Sequence, residues 1–344
     1  MISSLSLGTC ALGRAIDSTG APLDGGPPLM GRRVALVRAA PLPHERAPVE
    51  RPFWTGVRAV DGLLAFGRGA RIGIFGAPGS GKSTLLESLV AGCSADAVIV
   101  GLCGERGREA QRWIERRDAR TTIVCATSDR AASERIACVE VAFAHAAALR
   151  DRGLHVAFVL DSLARCAAAL RERATERGEI AGRGGYPPSV FAQLARFVEV
   201  AGPLRAGSIT LIATVLSDGD DRDPVSDAAR SLLDGHLQLS PRLAAAGRFP
   251  AVDVPASASR TMDAVATAAH RRHAAVVRGA VALLDRIDDA RALGIIPEGT
   301  AGRILEAEPQ LEAFLRQGDR PSAPAATLAA LAELADTLEG PIWT

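Results

Sequence analysis

Between Ala70 and Thr214, short apolar runs of strand length alternate with longer helical stretches, and this alternation narrows the possible folds more than any other feature. The runs lie at residues 71–75, 97–102, 122–126, 155–160 and 209–215, with helix candidates at 83–92, 108–117, 131–150, 162–174 and 189–200. Strands that alternate with helices imply βαβ units, whose parallel sheet is covered on both faces. The expected class is therefore α/β, a mostly parallel sheet flanked by helices. From about Thr261 the strand signal ends, and residues 264–289 and 326–338 are rich in Ala and Leu at helical spacing, which implies a C-terminal all-helical subdomain. Residues 1–50 are rich in Gly, Pro and short polar residues and read as a linker or turn-rich segment. The organisation expected is residues 1–50 as linker, 51–262 as the α/β core and 263–344 as the helical domain.

Composition excludes several classes. The chain has 344 residues, 48% of them hydrophobic, enough for a large core. Its 40 basic and 39 acidic residues leave a formal charge of only +1, which offers no footprint for nucleic acid. No apolar stretch approaches the roughly 18 residues of a membrane span, and the N-terminus lacks the pattern of a signal peptide, so the chain reads as soluble and cytoplasmic. The six cysteines (Cys10, Cys93, Cys103, Cys125, Cys138 and Cys166) show no ligand-like spacing and read as buried free thiols. His270-Arg271-Arg272-His273 reads as a solvated helix face.

Lys82 is the only lysine among the 40 basic residues. It stands in Gly76-Ala77-Pro78-Gly79-Ser80-Gly81-Lys82-Ser83, which fits the P-loop pattern in full, after an apolar strand and before a helix opening with Thr84. Such glycines let backbone N–H groups turn toward phosphates, and the helix adds the positive end of its dipole. Lys82 would neutralise phosphate oxygens where a planar guanidinium will not fit, and the Ser83 hydroxyl would reach Mg²⁺. A second element is the apolar strand ending at Asp161, the arrangement in which a carboxylate reaches Mg²⁺ through water. An aspartate there would equally cap the next helix, but the P-loop upstream favours the magnesium role. A third is Glu105, in Gly104-Glu105-Arg106-Gly107, a carboxylate that could polarise an attacking water. By position alone it would serve as well as an acid near the start of the next helix.

Longer stretches carry a family resemblance. Thr55-Gly56-Val57-Arg58-Ala59-Val60-Asp61-Gly62-Leu63 and Gly67-Arg68-Gly69 precede the P-loop. Gly104-Glu105-Arg106-Gly107-Arg108-Glu109, Ala126-Thr127-Ser128-Asp129 and Asp161-Ser162-Leu163-Ala164-Arg165 follow it. Then come Gly185-Tyr186-Pro187-Pro188-Ser189-Val190-Phe191-Ala192, Gly219-Asp220-Asp221-Arg222-Asp223-Pro224, Leu233-Asp234-Gly235-His236 and Ser257-Ala258-Ser259-Arg260. In this order the series resembles the ATPases of type III secretion systems, injectisome or flagellar, which are homologous to the catalytic subunits of rotary ATP synthases. The resemblance runs from about Leu12 to Gln317.

The resemblance implies a RecA-like P-loop core and Mg²⁺-dependent ATP hydrolysis that energises type III protein export, releasing chaperones, unfolding cargo and driving the export gate. It makes Glu105 the general base, Arg106 an active-site arginine, Asp161 the magnesium-side aspartate with Arg165 closing its motif, and Arg260 an arginine finger acting on the neighbouring subunit. Phe249 falls where rotary relatives stack an aromatic on adenine; a core phenylalanine is the other reading. The implied partners are a homo-hexamer, central stalk and stator proteins, chaperone–cargo complexes and the export gate, at the cytoplasmic face of the inner membrane, with no nucleic acid. Two positions depart from the usual pattern: Ala164 replaces threonine, and Arg248 stands where histidine is common. Family members usually carry an N-terminal β-barrel domain, and the sequence begins near where that barrel ends; the expectation is a trimmed chain, with a naturally short form as the alternative, largely monomeric at modest concentration. Three readings compete. A Rho-like RNA translocase would need stacking aromatics, which make up only 4% of residues. A rotary synthase subunit is disfavoured by the Tyr-Pro-Pro-Ser-Val-Phe and Leu-Asp-Gly-His stretches, and a catalytically dead ring subunit by Lys82, Glu105, Asp161 and Arg260.

Overall fold

A computed structural model of the chain describes residues 2–216, 223–292 and 299–339. They form two compact units, each assembled from separate stretches of sequence. Residues 2–49, 68–75 and 95–234 make the first, and residues 50–67, 76–94 and 235–339 the second.

The sheet of the first unit runs Arg71–Gly76, Ser208–Leu216, His155–Asp161, Ala97–Glu105, Thr121–Thr127, Ala15–Asp17. The last five strands pair in parallel, with Ser208 opposite His155, Ala97 opposite Val156, Val98 opposite Thr121 and Ala15 opposite Ile123. Parallel strands are covered on both faces, and Ala97–Glu105 is accordingly buried along its whole length. The helices Ala132–Arg150 and Leu163–Glu176 pack on the sheet, and Pro188–Val200 packs on both of them. Fully buried alanines at 142, 144, 146 and 147 let the first of these helices lie close to the strands. Phe143 meets Phe158 edge-on at 4.6 Å and stacks on Phe197 at 5.7 Å. Truncating an aromatic in such a cluster typically costs about 3–5 kcal/mol.

Within the first fifty residues Ala15–Asp17 extend the sheet, Ser4–Ser6 pair antiparallel with Arg33–Ala35, and polar bonds tie the segment down. The buried His145 ring accepts from Gly8 N–H at Nδ1 and meets Thr122 Oγ1 at Nε2, and Thr122 Oγ1 in turn donates to Ala11 O. With Gly8 donating to Nδ1, the ring is neutral and carries its proton on Nε2. Burial pushes its pKa down to about 3. Arg14 grips Asp24 at 2.8 Å, the first cause holding that carboxyl well below its ordinary range.

In the second unit the P-loop leads into the helix Lys82–Gly92. An antiparallel hairpin follows, Gly235–Leu239 with Val252–Ser259, and beyond it the described residues contain helices only. Ala268–Ala292 and Pro324–Glu339 pack together and, with Glu308–Leu315, around the short helix Arg58–Leu63. Asp61, in that helix, is buried and accepts from Thr55 N and Oγ1 and from Gly56 N. Burial raises its pKa to about 6 despite these donors. The expectation of a solvated face at 270–273 is corrected at its first residue. His270 falls on the buried stripe with Ala274, Val277 and Val281, and bonds Gly62 O through Nε2 at 2.8 Å. Its neighbours are half-buried or exposed, so the 3.6-residue period puts the quartet on two faces. Among the described residues no helix is long and apolar enough to cross a membrane. Five of the six cysteines are buried free thiols, and Cys10 is half-buried.

Candidate active site

The P-loop in the second unit owes its shape to residues that no L side chain could replace. Gly79 and Gly81 have φ of 79° and 88°, where a Cβ is strained. Gly81 occupies the N-cap of the helix and brings no side chain, so no side-chain cap covers the helix N-terminus. Lys82 Nζ donates to Gly76 O at 2.7 Å and Ala77 O at 2.8 Å, which folds the ammonium onto its own loop. Ser83 and Thr84 are exposed at the helix start, while the Ser80 hydroxyl is buried without a hydrogen-bond partner. A helix N-terminus without a side-chain cap and an ammonium beside it together suit a polyphosphate.

Next to the loop, in the same unit, is a cavity of about 210 Å³ walled by Phe249, Pro250, Gly81, Thr84 and Gln317. Phe249 is 39% exposed, and a Cβ on Gly81 would lie 3.2 Å from its ring. Phe249 is thus not a core residue; its ring is an open face beside the P-loop helix. Arg248 pairs with Glu312 at 3.3 Å, and Arg316 reaches both Glu312 and Gly247 O, so the helical part holds the loop carrying Phe249. Gln317 completes the wall. Its backbone N–H donates to Phe249 O, its Nε2 to Gly56 O and Arg320 O, and its Oε1 accepts from Arg58 N. Nothing local in the sequence marks Gln317 for this part.

The carboxylates lie in the first unit. A bulge at Gly104, φ 73°, shifts the register between Cys103 and Glu105 and re-aims the strand's last side chain. Glu105 is buried, and its Oε1 receives Arg165 Nη1 at 2.7 Å. Its Oε2 is buried without a donor. Burial first, then the nearby Glu109 carboxyl and the charge of Asp161, push Glu105 up to about 8, against the pull of Arg165. Asp161 accepts from Thr214 Oγ1 at 2.6 Å. Ser162, not Asp161, caps Leu163–Glu176 by accepting from Arg165 N, while Glu105 stands directly before Arg106, the N-cap residue of Gly107–Arg116. Arg106 is exposed, as is Arg260 just past the strand Val252–Ser259. Of the 219–224 stretch, residues 219–222 lie outside the described residues, and Asp223 caps Pro224–Leu232. The sequence reading left Glu109 without a role and missed Thr214; the signals were a second carboxyl four residues after Glu105 and a hydroxyl among the apolar residues 211–216.

A larger cavity of about 530 Å³ in the first unit is lined by Asp17, Asp24, Arg117 and Arg130. Asp17 is engaged by Thr19, and Asp24 by Arg14 and Arg117. For a metal, the Ser83 hydroxyl and the Asp161 carboxylate are hard oxygen donors of the type that Mg²⁺ takes alongside substrate phosphates.

Known proteins agree with this chemistry. Residues 56–259 match the model of the ATP synthase alpha/beta family, nucleotide-binding domain. The chain is 45% identical, over 91% of its length and 72% of the relative's, to the type 3 secretion system ATPase of Sinorhizobium fredii. It is 43% identical, over the same shares, to the flagellum-specific ATP synthase of Salmonella typhimurium. Among solved structures it superposes on the assembled ATPase EscN in complex with its central stalk EscO, from the enteropathogenic E. coli type III secretion system. That match has a TM-score of 0.90 and 37% identity, covering 96% of this chain and 83% of the other. The RNA-translocase reading gives way to these matches. The chain is an ATPase of the ATP synthase alpha/beta family and belongs to its type 3 secretion and flagellar export branch.

Proposed function

We propose that this ATPase hydrolyses MgATP to energise protein export, working as a homo-hexameric ring at the cytoplasmic face of the inner membrane. The observation that carries the reading is the P-loop of residues 76–83, with the only lysine of the chain folded into it beside an aromatic-walled cavity. Lys82 and the N–H groups of the helix start bind the triphosphate, and the Phe249 ring packs on the base. Glu105 takes the proton of the attacking water, and Arg165 keeps that carboxylate oriented. Ser83 and Asp161 hold Mg²⁺, which when bound neutralises charge on the phosphate oxygens. Arg106 and Arg260 stabilise the charge that develops on the transferred phosphoryl, Arg260 from the neighbouring subunit, because a guanidinium keeps its charge and binds phosphate bidentately.

In this reading the ring engages a central stalk and a stator, receives chaperone–cargo complexes, releases and unfolds the cargo, and drives the export gate. The shared site supplies the test. Specific ATPase activity is measured over two decades of protein concentration beside light scattering. It should rise as the subunits assemble, and Arg260→Ala should remove the rise while leaving nucleotide affinity unchanged. A flat, high specific activity in a proven monomer would end the shared-site reading.

A further inference from the structure

Thr214 sits where its chemistry is hard to explain by packing. The strand Ser208–Leu216 lies between the strand Arg71–Gly76, which runs into the P-loop, and the strand that ends at Asp161. Ala213 stands opposite Leu160, so Thr214 is one step further along, level with Asp161. Ile212, Ala213 and Val215 around it are buried and apolar, and Thr214 is itself fully buried. Valine would fill the same space without a hydroxyl to desolvate. The hydroxyl is instead used once, in the 2.6 Å bond to Asp161 Oδ1. The other buried threonine of the strand, Thr210, spends its hydroxyl on a backbone group, accepting from Gly69 N–H.

We propose that Thr214 is a positioning residue for magnesium: it fixes the rotation of the Asp161 carboxylate so that the group meets the cation in one orientation. The inference rests on the assignment of Asp161 to the magnesium side made above. A β-branched side chain in a strand has a stiff χ1, so the donor is held in place before any ligand arrives. An O–H donating to a carboxylate is among the stronger hydrogen bonds, and in a buried site it restrains the acceptor more than it would in water.

The experiment measures binding, not turnover. Fluorescent ADP is bound to the wild type, Thr214→Val and Thr214→Ser, first in EDTA and then across a Mg²⁺ titration. Thr214→Val should need about tenfold more Mg²⁺ for half-maximal tightening, the size expected when one charge-assisted bond is lost. Its affinity in EDTA should match the wild type, which also reports an intact fold. Thr214→Ser, which keeps the hydroxyl, should stay within about twofold of the wild-type Mg²⁺ midpoint. An unchanged midpoint in Thr214→Val, or equal impairment of the Val and Ser variants, overturns the positioning role. A wild type that binds ADP with no dependence on Mg²⁺ overturns the assignment of Asp161 as well.

Discussion

The P-loop region lies open: Pro78, Gly79, Ser83 and Thr84 are exposed, and nine consecutive residues supply the loop and its helix start. The carboxylate region works the other way. Glu105, Asp161 and Thr214 come from three strands, Glu109 and Arg165 from two helices, and Glu105 and Thr214 are buried. The open region needs only glycine conformations and a helix end, which are local properties. The buried region needs neighbours, because in a low dielectric a carboxylate keeps its charge and orientation only through the groups placed against it. The difference teaches that phosphate binding should be robust to changes elsewhere, while water activation and metal orientation should depend on single distant contacts.

Removing Lys82 should have the largest effect. Lys82→Ala should lower kcat/KM by about 10³, since no other lysine exists to substitute and an arginine fork does not fit. A loss within tenfold would show that the backbone cradle alone carries phosphate binding.

Glu105→Gln should separate the two regions. Turnover should fall by about 10² with nucleotide affinity kept within a few-fold, because the cradle is untouched. A general base acts unprotonated, and the pKa of Glu105 is raised to about 8. Wild-type kcat/KM should therefore climb about tenfold per unit from pH 6 and level off above about 8. A profile already flat at pH 6 would mean that Glu105 is ionised throughout and is not held as the geometry indicates.

A smaller effect is expected at the base pocket. Gln317→Ala removes the side-chain bonds to Gly56, Arg58 and Arg320, and should raise KM for ATP about tenfold with kcat nearly unchanged. Inhibition by inorganic tripolyphosphate, which has no base, should stay as in the wild type. Equal losses for both ligands would show that Gln317 supports the P-loop and not the pocket.

The smallest effect concerns stability. Folding lowers the pKa of His145 to about 3, so the unfolded chain takes up its proton near pH 6.5 and the native chain does not. The contribution is complete above about 6.5 and is lost as pH falls, roughly 2 kcal/mol between pH 7 and 5. His155, lowered to about 4 by burial first, adds in the same direction. Urea midpoints at the two pH values should show this loss, and His145→Gln should reduce it. An identical pH dependence in the variant removes His145 from the account.

The sheet and helices of residues 70–214 were legible because parallel strands buried on both faces are continuous apolar runs, so the expected strands differ from the observed ones by one to three residues at their ends. Legible for a different reason were residues 76–84, where a contiguous motif states its own backbone geometry. The edge strand Ala15–Asp17 was not: three residues in a turn-rich segment carry no periodicity, and only pairing with Thr121–Thr127 makes them a strand. His270 was misplaced for a related reason, since which face of a helix is buried depends on what it packs against.

By itself, then, the sequence determined the α/β alternation, the phosphate loop and the family, all carried by residues adjacent in the chain or in fixed order along it. Only the tertiary structure decided that Ser162 takes the cap and leaves Asp161 to Thr214. It also decided that Arg165 is spent on Glu105, and that Gln317 ties Phe249 to Gly56. Those pairings span 53, 60 and 261 residues, respectively, from Asp161 to Thr214, Glu105 to Arg165, and Gly56 to Gln317. Strand register and helix docking set them, and neither is written in any local stretch of the chain.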